Sequence, residues 1–183
     1  MLPRRFFARP AETVARDLLG KTLVRRLDGR TIRARVVETE AYVGPHDLAC
    51  HASKGRTART EVLFGPGGAL YVYMIYGMYH LLNVVTGPEG HGEAVLIRAA
   101  EPLGTASGSL IGPGRLGRTL ALTRDLSGLP ATRTSGLWFA DGDAPRHVAR
   151  SPRIGVDYAG DWKDAELRFF DADSRAVSGK RSA

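Results

Sequence analysis

Residues 65–88 read GPGGALYVYMIYGMYHLLNVVTGP, and the fold turns on how this stretch is read. It carries Tyr71, Tyr73, Tyr76 and Tyr79, four of the chain's six tyrosines, and no Asp, Glu, Lys or Arg. Its length and apolarity first suggest a membrane-spanning helix, which needs about 20 mainly apolar residues. Gly67, Gly68, Gly77, Asn83 and Gly87 interrupt the run, however, and its density of Tyr, Val and Ile is what a pleated strand prefers. Two strands of a hairpin, residues 69–76 and 79–86 turning at Gly77, are therefore expected in place of one helix. Two uses fit such a hairpin: a core element whose tyrosine hydroxyls reach water at its ends, or a surface on which a base or other flat ligand stacks.

Upstream, PAETVARDLLG (residues 10–20) predicts a short amphipathic helix opened by Pro10 and stopped by Gly20. Residues 21–27 read as a strand, Asp28-Gly29 as a hairpin turn, and residues 31–42 as a longer returning strand. On that strand Ile32, Ala34 and Val36 share one face, opposite Arg33 and Arg35. Unless a bulge intervenes, Glu38, Glu40 and Tyr42 continue the apolar face. Carboxylates placed there are costly unless paired, which makes them candidates for a functional centre as well as for the acids of a soluble edge strand. The polar segment between the two regions predicts a short helix over residues 57–64. His46, Asp47, Cys50 and His51 cluster there, but no second group of Cys or His completes a zinc shell, so no metal site is expected. Cys50 is equally poor as a nucleophile, because the adjacent His51 cannot readily reach it as a base.

Downstream, EAVLIRAAEPL (residues 93–103) reads as a strand on which Arg98 shares a face with Ala94, Leu96 and Ala100. An arginine there wants a carboxylate, and Glu38 or Glu40 is available. A structural ion pair explains this as well as a catalytic one does. A loop, a helix over residues 113–122 and strands near 137–140, 153–156 and 167–170 complete the chain. Length suggests one domain, with residues 10–172 as its body, residues 1–9 as an N-terminal tail and residues 173–183 as a flexible C-terminal tail.

With 26 basic against 19 acidic residues, the net charge is +7 and the pI about 10.0. That balance favours a polyanionic partner, nucleic acid or an acidic membrane surface. No basic amphipathic helix of the interfacial kind is evident, which weighs against the membrane. Only four of the basic residues are lysines, so arginine supplies most of the charge. The single cysteine excludes an internal disulfide and fits a reducing compartment, and the N-terminus lacks an apolar core of signal-peptide length. A cytoplasmic protein is expected.

Taken in order, VVETEAYVGPHDLACHASKGRT, LYVYMIYGMYHLLNVV, VLIRAAEPL, GPGRLGRTLAL and RIGVDYAGDW resemble the alkyladenine (3-methyladenine) DNA glycosylase family of base-excision repair. The resemblance runs from about Leu18 to Phe170. It implies an α+β fold: a single domain with a curved, partly barrel-like antiparallel sheet, flanking short helices and a protruding tyrosine β-hairpin. It also implies hydrolysis of the N-glycosidic bond of alkylated or deaminated purines in duplex DNA, by a monomer without cofactors. By the same resemblance Tyr76 fills the gap left by the flipped nucleotide, Tyr42 stacks on one face of the base, and Tyr73 and His51 form the opposite wall. Asn83 disfavours bases with guanine's exocyclic amine. Glu40 is the general base for the attacking water, Arg98 helps hold that water, and the Ile154 carbonyl is a further water ligand. Glu38 lies behind Glu40, Tyr71 and Tyr79 serve packing, and because no lysine is among these pocket residues a Schiff-base lyase step is not expected. One departure stands out: between Pro102 and Gly112 the family commonly carries a longer basic segment, so DNA affinity is expected to be weaker here. The main alternative is a non-catalytic nucleic-acid binding protein whose tyrosines only stack bases, and a structural RNA-binding domain is a third reading.

Overall fold

The computed structural model describes residues 1–104 and 108–179, so residues 105–107, in the segment between Pro102 and Gly112, and residues 180–183 of the expected C-terminal tail lie outside the described residues. The architecture is organised around β2 (Arg30–Tyr42), which is long enough to pair with three partners. Its first half pairs with β1 (Thr22–Leu27), its second half with β8 (Arg168–Asp171), and its other edge with β5 (Glu93–Pro102). β3 (Leu70–Ile75) and β4 (Tyr79–Thr86) extend the sheet beyond β5, β6 (Leu137–Ala140) beyond β1, and β7 (Val148–Ser151) beyond β8. Every pairing is antiparallel, and the result is a single α+β domain with a curled half-barrel sheet and few short helices.

One irregularity decides which side chains face which way. The register between β2 and β5 breaks around Val37 and Arg98. Ahead of the break Ala34 and Val36 face the main core; beyond it Ala41 does, and the Thr39 hydroxyl donates 2.8 Å to the Ala15 carbonyl on that same side. The parity of β2 has therefore flipped. Glu38, Glu40 and Tyr42 do not continue the face of Val36, as strict alternation requires; the bulge turns them to the opposite side. On β5 the compensating slip leaves Val95, Ile97 and Ala100 on the core side and sends Leu96 and Arg98 the other way, so Arg98 does not share a face with Ala100.

The main core lies beneath helix α2 (Ala11–Leu18), whose Ala11, Val14, Ala15 and Leu18 recur at helical spacing and are fully buried. Glu93 accepts a 2.7 Å hydrogen bond from the Ala11 N–H, occupying one of the donors a helix start leaves free. Gly20, at φ +84°, ends the helix where a Cβ would stand 1.9 Å from the Asp143 carbonyl oxygen, so no other residue fits. Residues 1–9 are not a loose tail. Helix α1 (Arg4–Phe7) buries Phe7 against Phe139, their rings 5.8 Å apart, because this ring closes the end of the core that α2 leaves open. Residues 173–179 likewise pack on the sheet, with Val177 and Ser178 buried.

Three further expectations are corrected locally. The segment at 57–64 forms no α-helix, and a 3₁₀ turn (Glu61–Phe64) stands there. The strand expected at 153–156 lies at Val148–Ser151, ending where Pro152 removes a ladder donor. Helix α3 (Pro113–Thr119) is shorter than residues 113–122.

Candidate active site

A cavity of about 730 Å³ opens on the sheet face turned away from α2. Its walls come from the end of β2, the middle of β5, the β3–β4 hairpin, the start of helix α3 and two loops, and all eight predicted site residues except Glu40 line it: Tyr42, His51, Tyr73, Tyr76, Asn83, Arg98 and Ile154. Glu40 is fully buried just behind them.

The hairpin supplies the aromatic wall because Tyr71 and Tyr73, two residues apart, project to the same side. Their rings lie 5.4 Å apart, and His51 sets its ring edge-on to Tyr73 at 4.6 Å. His51 Nδ1 is 2.9 Å from the Tyr71 hydroxyl. Tyr71 thus does more than pack, since it fixes the His51 ring. Burial, reinforced by Arg59, lowers the His51 pKa to about 4, so the imidazole is neutral at physiological pH. Asn83 is tied by its Nδ2 to the Tyr71 carbonyl at 3.2 Å. At the hairpin tip Tyr76 and Gly77 both take positive φ, +53° and +67°, as the tight turn from Ile75 to Met78 requires. Tyr76 is 83% exposed, and a tyrosine in this conformation is strained. Tyr79 packs beside the turn, its ring against Gly114 and under the Arg118 guanidinium.

On the opposite wall the charged centre is built as a chain. Glu40 accepts hydrogen bonds from the Ile154 N–H (2.8 Å, to Oε1), the Tyr42 hydroxyl (3.0 Å, to Oε2) and Arg98 Nη1 (3.2 Å, to Oε2). Arg98 Nε also reaches Glu38 at 3.3 Å, and Arg168 Nε donates to the same Glu38 oxygen at 2.6 Å. Two carboxylates and two guanidiniums therefore share one buried site, which removes most of the cost of burying any one of them. Burial opposes the Arg98 charge, but Glu40 and Glu38 outweigh it and hold its pKa above the ordinary value. Burial, with the Glu40 charge beside it, raises the Tyr42 hydroxyl well above its ordinary range, so Tyr42 donates to Glu40 as a neutral phenol. At Ile154 the contact the structure shows is the backbone N–H on Glu40.

Behind Tyr42 stands a second buried pair that sequence reasoning missed. Arg153 grips Asp47 bidentately at 2.5 and 2.8 Å, donates to the Ala41 carbonyl at 3.0 Å, and lays its guanidinium 4.8 Å from the centre of the Tyr42 ring. Asp47 also accepts from the Ala49 and Val43 N–H groups. This carboxylate, considered in the sequence only as a metal ligand, is the knot that holds the loop carrying His51 to the loop carrying Ile154. Among the described residues no group of three or more His, Cys, Asp or Glu is arranged to hold a metal. Cys50 is buried, and that burial pushes its thiol up to about 11.

A stacking cavity beside a buried carboxylate is the arrangement expected of an enzyme that works on an extruded base. Comparison with known proteins agrees, for the sequence profile of the methylpurine-DNA glycosylase family matches residues 5–175. The chain belongs to the methylpurine-DNA glycosylase family. Similar proteins include one from Myxococcus xanthus, 52% identical over 97% of this chain and 93% of its own length. Others come from Methanocella arvoryzae (48%; 97% and 96%) and Legionella pneumophila (47%; 97% and 97%). All three bear the name "Putative 3-methyladenine DNA glycosylase". As a methylpurine-DNA glycosylase the chain is a DNA repair hydrolase of base excision, and its substrate is DNA. In this glycosylase the sheet irregularity at Val37 and Arg98 is what brings the acids of β2 and the arginine of β5 to the cavity side.

Proposed function

We propose that this glycosylase flips an alkylated or deaminated purine of duplex DNA into the aromatic cavity and hydrolyses its N-glycosidic bond with a water activated by Glu40. The observation that carries the reading is the triple hydrogen bonding of buried Glu40 by Ile154, Tyr42 and Arg98 at the wall of a tyrosine-lined cavity. Flipping costs a few kcal/mol, least for a damaged or poorly paired base. Tyr76, the exposed tip residue, is suited to occupy the space left in the duplex. Stacking on Tyr42 and against Tyr73 and His51 contributes roughly 1–3 kcal/mol for the base and tolerates several lesions. A cationic alkylated purine gains further from an electron-rich tyrosine face, on the order of 1–2 kcal/mol when desolvated.

In the chemical step the water oxygen bonds to C1′ as the C1′–N9 bond breaks, and the bonding pair leaves with the purine. The water's proton passes to Glu40, whose Oε1 accepts only the Ile154 N–H among the described residues and keeps a lone pair for the water. The anion also stabilises the positive charge that develops on the sugar. No lysine lines the cavity among the described residues, which favours water over a Schiff-base nucleophile. The product is an abasic site, and the enzyme acts as a monomer in the cytoplasm on chromosomal DNA.

Duplexes carrying hypoxanthine or an alkylated adenine, cleaved with alkali after incubation, report base release. Glu40→Gln is expected to slow release by about 10²–10⁴-fold, the range of a lost general base, with lesion binding retained. Wild-type turnover by this variant removes Glu40 from the role, and release from no lesion by the wild-type chain removes the catalytic reading.

A further inference from the structure

We infer that the C-terminal segment around Ser178 is a strap that positions Arg98, and through it Glu40, for catalysis. The inference rests on the assignment of Glu40 as the base. Ser178 uses all three of its polar groups on the buried charged centre. Its N–H donates 2.6 Å to Glu38 Oε2, its hydroxyl accepts from Arg98 Nη2 at 3.4 Å, and its carbonyl accepts from Arg168 Nη2 at 2.6 Å. Among the described residues no other touches three of the four charged members from outside the cluster: Ser151 reaches Arg168, at 2.9 Å, and Ile154 and Tyr42 reach Glu40.

The consequence for Arg98 is geometric. A guanidinium is a rigid planar fork, and here each of its nitrogens has a separate partner: Nε on Glu38, Nη1 on Glu40, Nη2 on Ser178. Ser178 holds the fork directly at the corner away from Glu40 and indirectly by fixing Glu38. The segment itself is anchored before it reaches the cluster. Val177 is 8% exposed, the Ser174 hydroxyl donates to Glu101, and the Ala176 N–H donates to the Ser174 hydroxyl. Glu101 in turn pairs with Arg35, which also holds Asp171 at the end of β8. Ser178 is therefore delivered to Glu38 by a folded segment. Without it Glu38 Oε2 and Arg98 Nη2 each lose a partner in a buried place, and the fork is free to turn away from Glu40.

Four proteins test this: the full chain, a chain ending at Ala176, Ser178→Pro, which deletes the N–H together with the hydroxyl, and Ser178→Ala, the control that removes the hydroxyl and so only the longest of the three contacts. Thermal unfolding and affinity for a duplex with an uncleavable lesion analogue are measured beside the single-turnover rate of hypoxanthine release. The shortened chain and Ser178→Pro are expected to bind lesion DNA within about 3-fold of wild type but to release base about 10- to 100-fold more slowly. That is the size of effect seen when groups that hold a reacting residue are removed. Ser178→Ala, which keeps the backbone contacts, is expected to stay within about 3-fold in rate. A folded Ser178→Pro protein with wild-type rate overturns the inference, whatever the truncation does. So does a loss of affinity equal to the loss of rate, which marks the segment as merely structural. Glu40→Gln run alongside separates the two levels: if it stays active the base assignment fails, and if it is inactive while both strap variants are normal only the strap fails.

Discussion

Asp47→Ala tests how far the two loops of the site depend on one carboxylate. Asp47 and the Arg153 side chain are both fully buried, so the substitution leaves a guanidinium without its counter-charge in a place water does not reach. Breaking a buried pair from one side costs about 3–5 kcal/mol. For 183 residues, unfolding entropy of about 2.1 cal/mol/K per residue turns that into a fall in Tm of about 8–13 °C. The N–H groups of Ala49 and Val43 lose an acceptor as well, which pushes toward the upper end. Activity should fall with stability, because Arg153 immediately precedes the Ile154 N–H that holds Glu40; about 10-fold in single-turnover rate at a temperature where the variant is folded is expected. Urea or thermal unfolding of Asp47→Ala, Arg153→Met and the double variant closes a cycle. The double variant should recover about 1–3 kcal/mol relative to the sum of the singles, since it removes the stranded charge. A cost below about 1 kcal/mol for Asp47→Ala, or simple additivity in the cycle, refutes the reasoning.

Tyr76→Asn should relieve backbone strain at φ +53° and raise Tm by about 2–4 °C, equivalent to about 1 kcal/mol, while a fluorescent base analogue reports weaker flipping. Unchanged flipping takes Tyr76 out of the wedge role. His51 has a folded pKa of about 4 against an ordinary 6.5, so its contribution to stability is complete above pH 6.5 and is lost as pH falls toward 4. His51→Gln should flatten this part of the pH dependence of the urea midpoint, and an identical slope in both proteins contradicts the shift. Gly117→Ala places a Cβ 1.9 Å from the His80 carbonyl oxygen, where α3 lies on β4; a loss of at least about 2 kcal/mol is expected in urea unfolding, and a neutral result shows that the helix can move.

Local chemistry made much of the fold legible. The hairpin of residues 65–88 was readable because glycine punctuation and Tyr, Val and Ile density act over a few residues, and the amphipathic spacing of Val14, Ala15 and Leu18 marked α2 in the same way. Among the site residues, Glu40 and Arg98 stood out as charges in apolar company, a signal that depends only on neighbours in sequence. Their partners left no such signal. Arg153 and Asp47 are 106 residues apart, and Glu38 meets the Ser178 N–H across 140. Both terminal segments read as tails because short polar or basic runs carry no periodicity, and only the packed sheet gives Phe7 and Val177 something to cover.

The sequence by itself determined that one β-rich domain presents tyrosines, that it is strongly basic, and that a glutamate of residues 38–40 and Arg98 were candidates for pairing. These follow from hydrophobic pattern, turn chemistry and the cost of burying a lone charge. Only the tertiary structure decided which face those charges occupy. A slip of one residue around Val37 and Arg98 reverses every side chain beyond it. Strand periodicity cannot foresee that slip, because it arises where two strands far apart in the chain must match their curvature.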